Sequence, residues 1–284
     1  MTHWSAVRLP PRKPFGTAER ARVFGRGSLI ALTIAAGLAI LLTARLIERP
    51  ICGQARPATP YIIHGACKVI VRIIGLHCQV RGKPMRQHGA TVANHSTWLD
   101  VFVLNSCERV YFVAKSEVRG WALVGWLARL TGAMFILRKG TEAKAQKHEM
   151  EDRLKAGHRL LFFPEGTSSD AIRVLPFKSS LFSAFLSPDL ADALHVQPVT
   201  VVYHAPIGED ARFYGWWADM EFAPSLVEML AQSPHGRVEV RYHRPLRVSD
   251  FADRKALTAA CEAAVRAGHP NGQAGTEEKP YRPQ

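Results

Sequence analysis

The chain opens with polar and basic residues, and its charge then disappears. From Ser28 to Ala44 no charged side chain occurs, and LIALTIAAGLAILL lies at the heart of this stretch. As a helix it would reach ~25 Å, the short end of what crosses a hydrocarbon core. The residues before it carry Arg8, Arg12, Lys13, Arg20, Arg22 and Arg26 against Glu19. That basic region is too long for a signal peptide, and Arg45 to Arg49 offers no small-residue cleavage site. A second apolar stretch, Tyr61 to Val80, holds Lys68 and Arg72 one helical turn apart. It predicts an amphipathic helix, either lying at a membrane interface or packed on a soluble domain.

Beyond Gly82 the pattern alternates. Ala90–Ala93, Val110–Ala114, Met134–Leu137, Arg159–Phe163, Val196–Tyr203 and Arg237–Tyr242 are rich in β-branched and aromatic residues and predict strands. Leu99–Asn105, Trp121–Leu130, Glu142–Ala156, Ser179–Leu186 and Asp253–Ala267 predict helices, with Gly157 in C-cap position. The implied fold class is α/β: one domain with a mixed, largely parallel sheet flanked by helices, preceded by N-terminal membrane-associating helices. The expected division is a basic segment over 1–26, a membrane-associating region over 27–80, the α/β domain over 81–268 and a disordered tail over 269–284.

Charge sharpens this picture. The formal charge is +13 and the pI near 9.9, so an anionic partner surface is expected. Zinc-finger spacing, an RNA-binding sheet motif and a groove-entering basic helix are all missing from the sequence, which favours an anionic membrane over nucleic acid. Five widely spaced cysteines form no C-x-x-C pair, so neither a disulfide framework nor a zinc site is expected. The twelve histidines include no H-E-x-x-H, and no metal set is visible. There is no Gly-rich phosphate loop and no G-x-S-x-G elbow, which argues against an acyl-enzyme serine.

Four clusters can carry chemistry. Strand Ala90–Ala93 runs into Asn94-His95-Ser96-Thr97-Trp98-Leu99-Asp100. On one regular helix His95 and Asp100 would lie roughly 140° apart, so they meet only if the helix starts after His95. Thr97-x-x-Asp100 fits a capping signature, which predicts a helix from Thr97 with His95 in the preceding turn. Asp100 would then orient the imidazole; alone, the motif is equally a capped helix beside a packed histidine. Gly132 to Arg138, followed by Lys139, is an apolar strand ending in cations and suits an anion clamp or a solvated pair. Leu161 to Thr167 is an apolar strand stopped by Pro164 and turned by Gly166, displaying Glu165 and Thr167. Val196-Gln197-Pro198-Val199-Thr200 places a proline inside a strand, which predicts an edge or a bulge.

Together and in this order, the clusters resemble the glycerolipid acyltransferase family related to 1-acyl-glycerol-3-phosphate acyltransferase, over roughly Arg81 to Tyr242. The resemblance implies that His95 is a general base oriented by Asp100 in an H-x-x-x-x-D signature. It also implies that Arg138, Glu165, Gly166 and Thr167 bind the acceptor, with Lys115 a further anion-binding candidate and Pro198 shaping the site. The hydroxyl of a lysolipid would attack an acyl thioester, carried by acyl carrier protein or coenzyme A, without a covalent enzyme intermediate. No cofactor is implied, and the site is expected on the cytoplasmic face of the inner membrane. One departure bears on the acceptor. Lysophosphatidate enzymes carry an arginine after E-G-T, whereas this chain reads Glu165-Gly166-Thr167-Ser168-Ser169-Asp170 and continues R-V-L-P-F-K-S-S-L-F. That run looks more like the lyso-ornithine lipid O-acyltransferases of the same family, with lysophosphatidate as the alternative acceptor. Asp170 suits an ornithine ammonium, and Arg173 can equally stand in for the absent cation.

Overall fold

The computed structural model describes residues 14–53, 55–136, 143–187, 189–218 and 220–272. Among them, β1 (His77–Arg81), β2 (Gly89–Ala93), β3 (Tyr111–Lys115), β4 (Met134–Ile136), β5 (Leu160–Phe162), β6 (His195–His204), β7 (Arg237–Tyr242) and β8 (Leu246–Arg247) form a single sheet. The order is β1-β7-β6-β2-β5-β3-β4, with β8 pairing β6. β2, β3, β4, β5 and β6 run parallel, while β7 and β8 pair antiparallel to β6. The expected mixed, largely parallel sheet is therefore present.

Burial on both faces explains the continuous apolar strands. Leu161, Val199, Val201 and Val240 point into one core with α2 (Thr59–Ile74), α3 (Asp100–Cys107) and α7 (Phe222–Ala231). Leu160, Phe162, Val92 and Val196 point into the other, with α6 (Ala143–Lys155), α8 (Arg254–Gly268) and the 3-10 helix Ser179–Ala184. Short α4 (Ser116–Arg119) and α5 (Ala122–Leu130) connect β3 to β4.

The N-terminal region departs from expectation in two ways. The charge-free stretch belongs to a longer helix, α1 (Thr17–Cys52), whose 36 residues span about 54 Å. It passes the length and hydropathy test for a membrane-crossing segment, with 6% of its apolar window buried in the chain. The second helix ends at Ile74 instead of continuing to Val80, because Gly75 takes the left-handed C-cap conformation at φ +89°. His77–Arg81 then joins the sheet as an edge strand beside β7.

Both ends of α1 are tied to the α/β domain. Near its start, Arg22 Nε donates to the Ala231 carbonyl at 2.8 Å, and Arg26 Nη1 donates to those of Leu230 and Gln232 at 3.0 and 2.6 Å. These are carbonyls at the C-terminal end of α7, where cations and donors are favoured. Just past its other end, the Ala55 carbonyl lies 3.1 Å from His158 Nε2, and the Arg56 carbonyl accepts from Tyr111 Oη at 3.1 Å.

Two further expectations change. Ser179–Ala184 is 3-10 rather than α-helical. Pro198 lies on interior strand β6, opposite Val92, not at an edge. The missing donor is accommodated because the second flank of β6 is unpaired between Val196, held by β8, and Val199, held by β7. The Pro198 carbonyl still accepts from His243 N–H at 3.0 Å. The anticipated tail beyond Gly272 and the segment before Pro14 lie outside the described residues.

Glu108 fastens the C-terminal end of α3 to the sheet. Its buried carboxylate accepts from Thr91 Oγ1 at 3.1 Å and faces Arg159 Nη1 at 3.4 Å. Burial pushes it up from 4.5 to about 7, with Arg159 and Thr91 opposing that shift. The folded chain thus holds a proton that the unfolded chain releases, so stability falls as pH rises between about 4.5 and about 7. Thermal melts across that range should show Glu108→Gln removing part of the decline; an unchanged slope would contradict this origin.

Candidate active site

Every parallel strand that precedes a motif ends on the same edge of the sheet, where α/β domains build their sites. β2 delivers Asn94–Asp100 to that edge, β3 delivers Lys115, and β5 delivers Phe163–Thr167. Asn94 is the hinge of the first loop. Fully buried, it donates through Nδ2 to the Val201 carbonyl at 2.9 Å and accepts from Val201 N–H at 2.8 Å, extending the β2–β6 pairing by one step.

The chain then turns around the carboxylate of Asp100. Oδ2 accepts from Ser96 N–H at 2.8 Å and Thr97 N–H at 3.0 Å, and lies 2.8 Å from His95 Nδ1. Oδ1 accepts from Tyr203 Oη at 2.7 Å. A carboxylate collecting three other donors is an acceptor, so Nδ1 carries the hydrogen and Nε2 is the basic nitrogen. Asp100 is fully buried, and four donors satisfy a charge that would otherwise be expensive to hold there.

This geometry realises the predicted approach of His95 and Asp100 by a different local route. α3 begins at Asp100, after a turn at Trp98 and Leu99, rather than at Thr97. The acid at the first helical position reaches back to the N–H groups of Ser96 and Thr97, ahead of the helix. Thr97 Oγ1 accepts from Leu99 N–H at 3.5 Å.

The imidazole plane is set by Phe163, stacked at 4.0 Å between centroids and 9° between planes. Behind the ring, Glu165 Oε1 accepts from His95 N–H at 3.0 Å. Glu165 is buried, and its Oε2 lies buried without a partner. Desolvation holds this carboxyl well above the usual range, opposed by backbone hydrogen bonds from His95 and Leu175. Gly166 turns the chain at φ +71°, and Gly166 and Thr167 are half-buried beside it.

A second turn hangs on the first. Ser169 N–H donates to the His95 carbonyl at 2.9 Å, and Trp216 N–H lies 3.0 and 3.2 Å from the Ser96 and Ser169 carbonyls. Within that turn, Arg173 Nε pairs with Asp170 Oδ2 at 3.0 Å, and Ser169 Oγ donates to the Arg173 carbonyl at 3.2 Å. Asp170 is fully buried, whereas the Arg173 side chain is 19% exposed.

The structure therefore brings His95, Asp100 and Glu165 into contact, sets Gly166 and Thr167 next to them, and leaves Lys115, half-buried, at the end of β3 on the same edge. Arg138 lies outside the described residues. Sequence reasoning missed Tyr203, Phe163 as a ring support, and Trp216. Tyr203 meets Asp100 across 103 residues with no local signal. The Gly215-Trp216-Trp217 run was the visible hint for Trp216.

Three comparisons bear on this arrangement. A family model described as Acyltransferase matches residues 77–202. The chain is 54% identical over 265 residues to a lyso-ornithine lipid O-acyltransferase from Rhodobacter capsulatus, covering 93% of this chain and 96% of that protein. It is 33% identical to a 1-acyl-sn-glycerol-3-phosphate acyltransferase from Neisseria gonorrhoeae, over 66% of this chain and 72% of that one. In fold it matches the crystal structure of the 1-acyl-sn-glycerophosphate acyltransferase PlsC from Thermotoga maritima, with a TM-score of 0.61 at 19% identity, covering 92% of this chain and all of that one.

Tyr203→Phe removes a hydrogen bond to a buried charge and should lower unfolding free energy by about 2 kcal/mol in chemical denaturation. A loss near zero would mean that the tyrosine hydroxyl does not hold Asp100.

Proposed function

Because this chain belongs to the acyltransferase family, as its 54% identity across nearly the full length of a curated member requires, we propose that it acylates the hydroxyl of lyso-ornithine lipid with His95 as general base. The acyl group comes from a thioester of acyl carrier protein or coenzyme A. His95 Nε2 takes the hydroxyl proton as the acceptor oxygen attacks the thioester carbonyl carbon. The tetrahedral adduct collapses with cleavage of the carbon–sulfur bond, and the proton on Nε2 passes to the departing thiolate. Asp100 positions the ring and stabilises the imidazolium while that proton is held. Tyr203 and Glu165 act through Asp100 and through the His95 backbone. Gly166, Thr167 and Lys115 form the acceptor side, since each lies in or after a segment that reaches the same sheet edge, and the family resemblance adds Arg138. The observation that carries this reading is the 2.8 Å contact between His95 Nδ1 and Asp100 at the end of β2.

The acceptor assignment is supported by the name of the 54% identical relative and by the turn after Glu165. Asp170, buried and already engaged, serves to hold Arg173 and does not itself meet an ammonium. Arg173, held by Asp170 in the turn after Glu165, is the cation we assign to the ornithine carboxylate. Attachment is to the cytoplasmic face and monotopic. A helix crossing a bilayer has its ends on opposite sides, whereas the start of α1 and the chain three to four residues past its end are hydrogen-bonded to one domain. Exposed Leu32, Ile40, Leu46 and Ile47 on α1, with Leu123 and Trp126 on α5, supply apolar surface for such attachment.

His95→Ala should lower acyl transfer by about 100-fold or more while vesicle binding persists; turnover near that of the native chain would end the general-base assignment. Purified enzyme offered lyso-ornithine lipid and lysophosphatidate with one donor should acylate the former, and Arg173→Ala should raise KM for it. Transfer to lysophosphatidate alone would overturn the acceptor assignment.

A further inference from the structure

A cavity of about 530 Å³ lies between the C-terminal part of α1 and the end of α5. Its described lining includes Arg45, Arg49, Arg56 and Arg129 and no acidic residue; the remainder is Thr43 and leucines such as Leu41 and Leu130. Gathering four guanidinium groups in one concavity is unfavourable unless an anion offsets their repulsion.

The one carboxylate beside them, Glu48, offsets only part of that repulsion. Arg45 Nη1 and Arg56 Nε are buried without a hydrogen-bond partner. Glu48 stands 3.9 Å from Arg45, and its other oxygen accepts from Ala58 N–H. Arg129 Nη1 reaches the Arg119 carbonyl at 3.3 Å. Burial and the neighbouring Arg45 and Arg153 guanidinium groups push Arg56 below its ordinary value, with Tyr111 and Glu48 opposing them only in part. Arg56 also holds φ at +45°, a conformation that L-residues seldom adopt, so its position is maintained against local preference.

The apolar part of the lining narrows the class of anion. The charge-free stretch of α1 ends at Ala44, so the arginines begin where charge returns among its exposed leucines and isoleucines. Leu42 and Leu46, both exposed, line the same cavity. A guanidinium cluster beside an apolar wall, at the end of a membrane-facing helix, matches a phosphate group joined to acyl chains.

We propose that this cavity binds the phosphate of an anionic glycerophospholipid, in a site distinct from the His95 centre. Arg56 and Arg45 supply the buried donors, Arg49 and Arg129 close over the phosphate from the exposed side, and the leucines receive the first carbons of the chains. An anionic lipid then joins the end of α1 to α5 and sets how firmly the chain sits on the bilayer surface. Inorganic phosphate shares the oxyanion chemistry and lacks the apolar part, which separates the two sources.

The test is a thermal melt of the full chain in neutral detergent with three probes: dihexanoyl phosphatidylglycerol, inorganic phosphate and dihexanoylglycerol. The phosphatidylglycerol should raise Tm saturably, inorganic phosphate should do so only at much higher concentration, and dihexanoylglycerol should not do so. Arg49→Gln with Arg129→Gln should weaken the apparent affinity about tenfold or more. Lys83→Gln with Arg86→Gln removes the same charge at exposed positions outside the cavity and should leave the response intact. Arg129→Lys, which keeps the charge and loses the planar fork, should fall between the native chain and the double variant. An equal response to inorganic phosphate would overturn the lipid assignment. No response, or one surviving Arg49→Gln with Arg129→Gln, would overturn the site.

Discussion

The buried carboxylate of Asp100 is the constraint around which the site is organised. A charge with no solvent contact is tolerable only if its lone pairs are filled by well-placed donors. Here those donors come from two successive backbone N–H groups, one imidazole and one phenol. Satisfying the two N–H groups forces the chain between β2 and α3 into a tight turn, and that turn brings His95 Nδ1 to the same oxygen. Ring orientation, tautomer and helix start are thus consequences of one desolvated charge. The spacing of five between His95 and Asp100 would separate them on a helix, and it works because helix geometry begins only at the acid.

The surrounding shell acts on the two sides of that centre. Phe163 sets the ring plane and Glu165 holds the backbone behind it, and both follow β5, the neighbour of β2. Parallel pairing makes this possible: residues about 70 apart in sequence arrive at one edge because their strands share a direction. Ser169 and Trp216 close the ring of contacts through the backbone alone, so the second turn follows the first if either moves. The Arg173 turn is thereby referenced to the same frame as His95.

Most of the sheet was legible because its strands are short runs of fully buried β-branched and aromatic residues bounded by turns. What escaped notice has physical reasons. β1 is an edge strand with an almost wholly exposed pattern, so nothing in its hydrophobicity distinguishes it from the helix before it; the signal was Gly75. Pro198 predicts an edge or a bulge; the edge is absent, while β6 changes partners at that point with three residues, 243–245, set opposite 197–198. At the site, the His95–Asp100 pair and the Glu165 block were visible because they are local in sequence. Tyr203 was not, since a single tyrosine on a buried strand gives no sign of the carboxylate it will meet.

The N-terminal helix shows why composition alone misleads about topology. Its apolar window passes a spanning test, yet Arg22 and Arg26 are committed to the α7 carbonyls, and the chain just beyond Cys52 is committed to Tyr111 and His158. Pulling either end across a bilayer would strand those carbonyls and desolvate the arginines, a loss of several hydrogen bonds to charged or buried groups. Lying flat, as proposed, the helix would keep them and still bury its exposed leucines and isoleucines. In the proposed monotopic attachment it would fix the domain's tilt against the membrane at two points some 50 Å apart, set by the helix rise. Such a mount would be stiffer than a single tether, and it would let a rigid sheet edge meet the proposed lysolipid acceptor at constant depth without moving His95.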